Sequence, residues 1–127
     1  VGLPKANRLK HPKEFQSVYQ QGRRYQSPHL VLRVLSKTDP LGETEPPQFG
    51  ISVSQKVSKK AVVRNRLKRQ IRAVIRPLIP AISTGCKVVV AVKRNAVECN
   101  YEHFLRELEE LFIKAEIIYG HTRKHLL

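Results

Sequence analysis

The chain is 127 residues long and carries 24 Lys plus Arg against 10 Asp plus Glu, a formal charge of +14 with a pI near 10.3. That length suits one domain over 1–127 with a single modest core, and the charge exceeds anything solubility requires, so the implied partner is a polyanion: nucleic acid or an anionic membrane. The longest apolar runs are strand-length, no charged-then-apolar leader opens the chain, and Cys86 and Cys99 form no CxxC pattern; these features argue against a membrane span, a disulfide framework and a zinc knuckle, and predict a cytoplasmic protein with reduced structural thiols.

The first predicted element is a short helix over HPKEFQSVYQQG, with Lys10 or His11 near its cap, Pro12 in its first turn, Gly22 as its stop, and Phe15, Val18 and Tyr19 on one face. HLVLRVLS (29–36) and QFGISVS (48–54) read as strands rich in β-branched residues, separated by a Pro/Gly/Glu connection at 37–47 to which no role is assigned. Ser58 is predicted to cap a long helix running to about Arg76, where Pro77 and Pro80 end it. KVVVAV (87–92) is almost continuously apolar, hence a strand covered on both faces. Asn100 then caps a helix to about Ile118, with Phe104, Leu105, Leu108, Leu111, Phe112 and Ala115 at helical spacing, and the tail 120–127 is expected to fray. The order α-β-β-α-β-α predicts an α/β layer with helices against one sheet. If the strands flanking the long helix are parallel, crossover statistics favour a right-handed connection by about fifty to one.

Charge is segregated along this framework. Between Glu45 and Glu98 there is no acidic residue, whereas six of the ten acids lie from Glu98 to Glu116. Within KKAVVRNRLKRQIR, Lys59 to Arg72, seven cations meet no carboxylate. A solvated helix face would intersperse Glu at i+4 positions, so the absence points to an external anion. On a helical wheel Val63, Leu67, Ile71, Val74 and Leu78 form an apolar arc, while Asn65, Arg66, Lys68, Arg69, Arg72 and Arg76 fall opposite, with Arg64 at the boundary. One face docks on the protein and the other binds nucleic acid, where guanidinium groups suit structured phosphates. Phe15 and Tyr19, four apart and followed by the basic GRRY, have two readings: ordinary core packing, or base stacking along a cleft between the first helix and the sheet.

Catalytic patterns are absent from the sequence. Five histidines form no HExxH, His121 and His125 fall on the tail, and there is neither a Gly-rich phosphate loop nor a paired-carboxylate constellation, so no catalytic residue and no protein metal site are expected.

FGISVSQKVSKKAVVRNRLKRQIR resembles the protein subunit of bacterial ribonuclease P, whose signature is an Arg-Asn-Arg helix after a strand ending in a Val-Ser-x-Lys-like turn; here these are Val53, Ser54 and Lys56, then Arg64, Asn65, Arg66, Lys68, Arg69 and Arg72. RLKHPKEFQSVYQQG is similar to the family's opening through Arg8, Leu9, Glu14, Phe15, Val18 and Gly22, and KVVVAVKRNA to its last strand and basic exit. The resemblance implies a two-layer α+β sandwich, α-β-β-(β)-α-β-α, with a mixed sheet of about four strands and a left-handed βαβ crossover, and on handedness it is followed here. It implies that the protein does not itself cut: a catalytic RNA, using Mg²⁺ bound mainly by that RNA, removes the 5′ leader from precursor tRNA. By the same match Lys60, Arg64, Asn65, Arg66, Lys68, Arg69 and Arg72 bind the RNA subunit, and Phe15, Tyr19, Arg33, Ser52, Ser54, Lys56, Lys93 and Arg94 line the leader cleft. The implied partners are the catalytic RNA and precursor tRNA, with no membrane and no obligate protein partner. Arg33 stands where several relatives carry an aromatic residue, and Asn95 where a proline is frequent.

Three other readings share the basic helix. A ribosome-associated or RNA-chaperone protein differs only in its partner. A helix-turn-helix DNA binder would need a second helix joined by a short turn, where this sequence has β-like segments. An independent nuclease would cut precursor tRNA without any RNA subunit.

Overall fold

In chain order the elements are α1 (Pro12–Gln21), β1 (Arg23–Gln26), β2 (Leu30–Ser36), β3 (Gln48–Ser52), α2 (Ala61–Leu78), β4 (Cys86–Val92) and α3 (Tyr101–Lys114), with single 3-10 turns at Lys5–Asn7, Ile79–Ala81 and Arg94–Ala96. The computed structural model describes residues 2–36 and 45–118; the expected frayed tail and most of the 37–47 connection lie outside them. The strands form one mixed sheet in the order β1-β2-β4-β3, antiparallel except for the β3–β4 pair. Parallel neighbours cannot be joined by a hairpin, and α2 supplies the crossover.

Side-chain alternation divides the sheet into two unequal faces. Leu30, Leu32 and Val34 of β2, Phe49 of β3, and Val88, Val90 and Val92 of β4 meet Leu67, Ile71, Val74 and Ile75 of α2 and Phe104, Leu108, Leu111 and Phe112 of α3 in the main core. On the other face Val89 joins only Leu9 and Val18, with Phe15 and Leu35 alongside, so α1 lies across that face by itself. The apolar run at 87–92 is therefore covered on both sides, as its composition predicts. Both cysteines are buried and unbridged, and burial raises the pKa of each thiol.

Element ends show where local chemistry won or lost. α1 starts after His11 and stops at Gly22, whose missing Cβ matters because one would lie 2.4 Å from the Val18 carbonyl oxygen. Ser58 does not cap α2: its hydroxyl accepts the Lys60 N–H at 3.2 Å in a turn two residues earlier, and Lys60 is the cap residue. α2 also passes through Pro77 to Leu78 before tightening into the 3-10 turn. α3 opens as expected at Asn100, whose side chain accepts the His103 N–H (3.1 Å) while the His103 ring accepts the Asn100 N–H (3.2 Å). It ends at Lys114 rather than Ile118, because Glu116 takes a left-handed φ of 58° and Ile117 N–H turns back to the Phe112 carbonyl at 3.1 Å. Ile118 then bridges to Ile82. β1 had no counterpart placed on the sequence; its four residues, RRYQ, are too polar and too short for an alternation signal, and only the turn to β2 pairs them.

Candidate nucleic-acid interface

α2 carries its cations over a wide arc. Asn65, Arg69 and Arg76 stand on its exposed crest, and Lys60 is exposed at its N-terminal end. Val62 shares that crest at 75% exposure. Lys68 and Arg72 are half-buried on one flank, where Arg72 and Arg8 line a cavity of about 380 Å³ walled by Leu3, Leu9, Phe15 and Phe49. Arg64 folds back toward the preceding turn, its Nη1 donating to the Ser58 carbonyl at 2.9 Å. Arg66 departs from the wheel expectation. Its Nη2 donates to the Val97 carbonyl at 2.6 Å and its Nε is buried without a partner, so it ties α2 to the segment before α3 instead of facing outward. The reason is tertiary: position 66 lies on the flank that α3 approaches, and a wheel holds no information about which flank that is. The ion pairs between described residues are Glu14–Lys87 (3.2 Å) and Glu107–His29 (2.6 Å), and neither uses a cation of α2.

On the opposite face, register brings a second set together. Arg33 and Gly50 both pair with Val89, and Val31 and Ser52 both pair with Ala91, so these two rows cross the sheet beneath and beside α1. The Phe15 ring lies so close over Gly50 that a Cβ there would come 2.4 Å from two ring carbons. One turn along α1, Tyr19 is 43% exposed and the Arg33 guanidinium carbon sits 4.6 Å from its ring centroid, a cation–π contact. Arg33 and Ser52 thus lie on the sheet face that α1 crosses, beside Tyr19 and Phe15 of that helix. Arg24, which sequence reading did not single out, pairs with Arg33 and adds a further exposed cation to the same row; the signal available was the doublet in GRRY. Ser54 and Lys56 are exposed in the turn that follows β3, beyond the strand rows.

Lys93, just after β4, reaches back to the β1–β2 turn. Its Nζ donates to the Ser27 carbonyl (2.7 Å) and to Gln26 Oε1 (3.2 Å), and Asn95 Nδ2 donates to the Pro28 carbonyl (3.1 Å). Arg94 beside it is exposed. The turn they hold is also anchored from α3: Glu107 Oε1 accepts from the Ser27 hydroxyl and from the His29 N–H (2.9 Å), and Oε2 accepts from His29 Nδ1 (2.6 Å). Burial alone would push the Glu107 carboxyl up, but the hydrogen bonds from Ser27 and His29, together with the charge of His29, hold it below the usual carboxylate range. Glu107, one of the six acids between Glu98 and Glu116, is buried.

A protein-family profile described as ribonuclease P matches residues 3–116 of the chain. The chain is 65% identical over 127 residues to the ribonuclease P protein component of Rippkaea orientalis, with both chains covered completely. To the corresponding component of a Synechocystis species it is 56% identical over 128 residues, again covering all of both. Among solved structures, a Staphylococcus aureus RNase P protein mutant with defective mRNA degradation activity superposes with a TM-score of 0.79 at 26% identity, over 90% of this chain and 92% of that one. Agreement of that extent requires the same hand for the crossover through α2.

Proposed function

The chain belongs to the ribonuclease P protein family, and on that premise we propose that its two faces divide the work of tRNA 5′-end processing: α2 binds the catalytic RNA and the groove beside α1 holds the leader of precursor tRNA. As a ribonuclease P protein component it is an RNA-binding subunit of an endoribonuclease. In the proposed division the RNA subunit performs the hydrolysis, and Mg²⁺ bound mainly by that RNA supplies the activated water and neutralises charge on the scissile phosphate.

The observation that carries this reading is the set of α2 cations that pair with none of the protein's described carboxylates, set across the sheet from a groove of aromatic and cationic side chains. Lys60, Lys68, Arg69 and Arg72, with Asn65 between them, neutralise phosphates of the RNA subunit and release its condensed counterions. Arg64 reaches the same RNA from the edge of the helix. Arg66 acts mainly by holding the N-terminal half of α2 against Val97, which keeps the neighbouring cations in one arrangement.

In the groove, Tyr19 offers a ring face to a leader base, with Arg33 able to stack or to turn to phosphate; base–aromatic stacking contributes about 1–3 kcal/mol per base. Phe15 forms the groove wall, Ser52 and Ser54 offer hydroxyl hydrogen bonds, and Lys56, Lys93 and Arg94 supply cations along the backbone path. Drawing two polyanions together otherwise requires more divalent cation, so the protein's contribution is largest at low Mg²⁺. The protein works in the cytoplasm without an obligate protein partner; no described helix is long and apolar enough to cross a membrane.

The test is reconstitution with the cognate RNA subunit at low Mg²⁺, with 5′ cleavage of precursor tRNA followed with and without the protein. Stimulated cleavage at the mature 5′ end, dependent on the RNA subunit, is expected. Cleavage by the protein alone, or no stimulation, contradicts the reading.

A further inference from the structure

We propose that His29, Cys99 and Glu107 form a binding site for a borderline-soft divalent cation of the Zn²⁺ class. The three residues come from the turn before β2, the turn before α3 and the second turn of α3, and a ring nitrogen, a thiol sulfur and a carboxylate oxygen lie within 4.8 Å of one another. Nitrogen, sulfur and oxygen in one cluster is the donor set that Zn²⁺ accepts and that Mg²⁺ and Ca²⁺ do not select.

The surroundings are those of a supported site. Glu107 uses Oε1 for the Ser27 hydroxyl and the His29 N–H, which fixes the carboxylate plane and leaves Oε2 facing His29 Nδ1 at 2.6 Å. An ion taken between those two atoms displaces the proton they share. Zinc bonds of about 2.0–2.1 Å at a tetrahedral angle place two ligand atoms roughly 3.3 Å apart, so the pair needs to open by less than about 1 Å. His103 stacks edge-on to His29 with ring centroids 6.4 Å apart, but its Nδ1 accepts the Asn100 N–H; its proton therefore resides on Nε2, which makes it a donor to a metal-bound water or anion and not a fourth ligand. Two of the three ligands, His29 and Glu107, also line a cavity of about 280 Å³ together with Pro28, His103, Arg106 and Glu110, which leaves room for a water or anion beside them. A bound ion would clamp the β1–β2 turn to α3, and the same turn holds the Lys93 ammonium. The site is independent of the RNA-binding reading and survives its failure.

Cobalt(II) serves as the probe, added to metal-free full-length protein and then competed with Zn²⁺. The site predicts about one equivalent bound, tetrahedral d–d bands in the visible, a thiolate-to-cobalt charge-transfer band in the near ultraviolet, and a melting temperature raised by Zn²⁺. Cys99→Ser abolishes the charge-transfer band and weakens Zn²⁺ binding by at least about a hundredfold, whereas Cys86→Ser leaves both unchanged. His29→Asn guards against a folding artefact: its Nδ2 amide, at the position of the imidazole Nδ1, can still donate to Glu107, so the metal-free protein should melt normally while cobalt affinity falls comparably. Absence of the charge-transfer band, its persistence in Cys99→Ser, or bands of an octahedral site alone would overturn the proposal in favour of a purely hydrogen-bonded cluster.

Discussion

One face of the sheet carries two long helices over a core of more than twenty buried residues; the other carries α1 over only Leu9, Val18 and Val89. The thick face supplies stability and presents α2 outward as a rigid cationic rod. The thin face leaves sheet rows uncovered beside α1, and uncovered rows are what a groove requires. A small protein with one core can therefore present two basic surfaces, the proposed sites for the two RNAs, on opposite sides of a single sheet that meet at the cavity lined by Arg72 and Phe15.

A single substitution costs most in the main core. Leu67 is fully buried between α2 and the sheet, so Leu67→Ala is expected to cost about 2–5 kcal/mol in denaturant unfolding of the free protein; a loss within experimental error would mean that the main core lies elsewhere. Gly50→Ala attacks the thin face. The added Cβ meets the Phe15 ring at 2.4 Å, so the ring must swing away at a cost of about 1–3 kcal/mol, and binding of leader-bearing tRNA should fall more than assembly with the RNA subunit.

Within α2, Arg69 and Arg66 differ in what they hold. Arg69→Ala on the exposed crest is expected to leave stability within about 0.5 kcal/mol and to lower the salt slope of RNA-subunit binding by roughly 0.7 to 0.9. Arg66→Ala removes the bond to the Val97 carbonyl, and because the side chain is half-exposed the expected stability loss is only about 1 kcal/mol, measurable as a lower melting temperature. Identical melting behaviour of the two variants would erase the distinction drawn between them. The smallest effect has the opposite sign. Glu116 holds a left-handed conformation that glycine adopts freely, so Glu116→Gly should stabilise the thick face by roughly 1 kcal/mol, as seen in the unfolding midpoint.

What the sequence disclosed follows the range of the forces involved. Pro12 and Gly22 bound α1, Asn100 caps α3, and the valines of β4 declare a strand covered on both faces; each is a local or periodic signal, and each matches the structure. The Arg-Asn-Arg helix carried the family resemblance for the same reason. Long-range pairing left weaker marks. β1 exists because the turn at Ser27 to His29 folds it onto β2, and nothing in RRYQ announces that. The helical wheel puts Arg66 on the outward face, and nothing in the sequence marks Glu107 as buried; both are turned inward by contacts with segments 31 and 78–80 residues away. The cluster of His29, Cys99 and Glu107 is likewise invisible to any search by local spacing.

In the proposed division of labour the groove beside α1 reads the leader while α2 does not. The most direct measurement of that division is the affinity of the reconstituted holoenzyme for precursor and for mature tRNA, with wild-type protein and with Tyr19→Ala, a half-exposed position whose loss leaves the core intact. The predicted result is weaker binding of precursor tRNA by about 5- to 150-fold, the equivalent of one lost stacked base, with mature tRNA unaffected. Equal losses for both tRNAs, or none for either, would contradict the account.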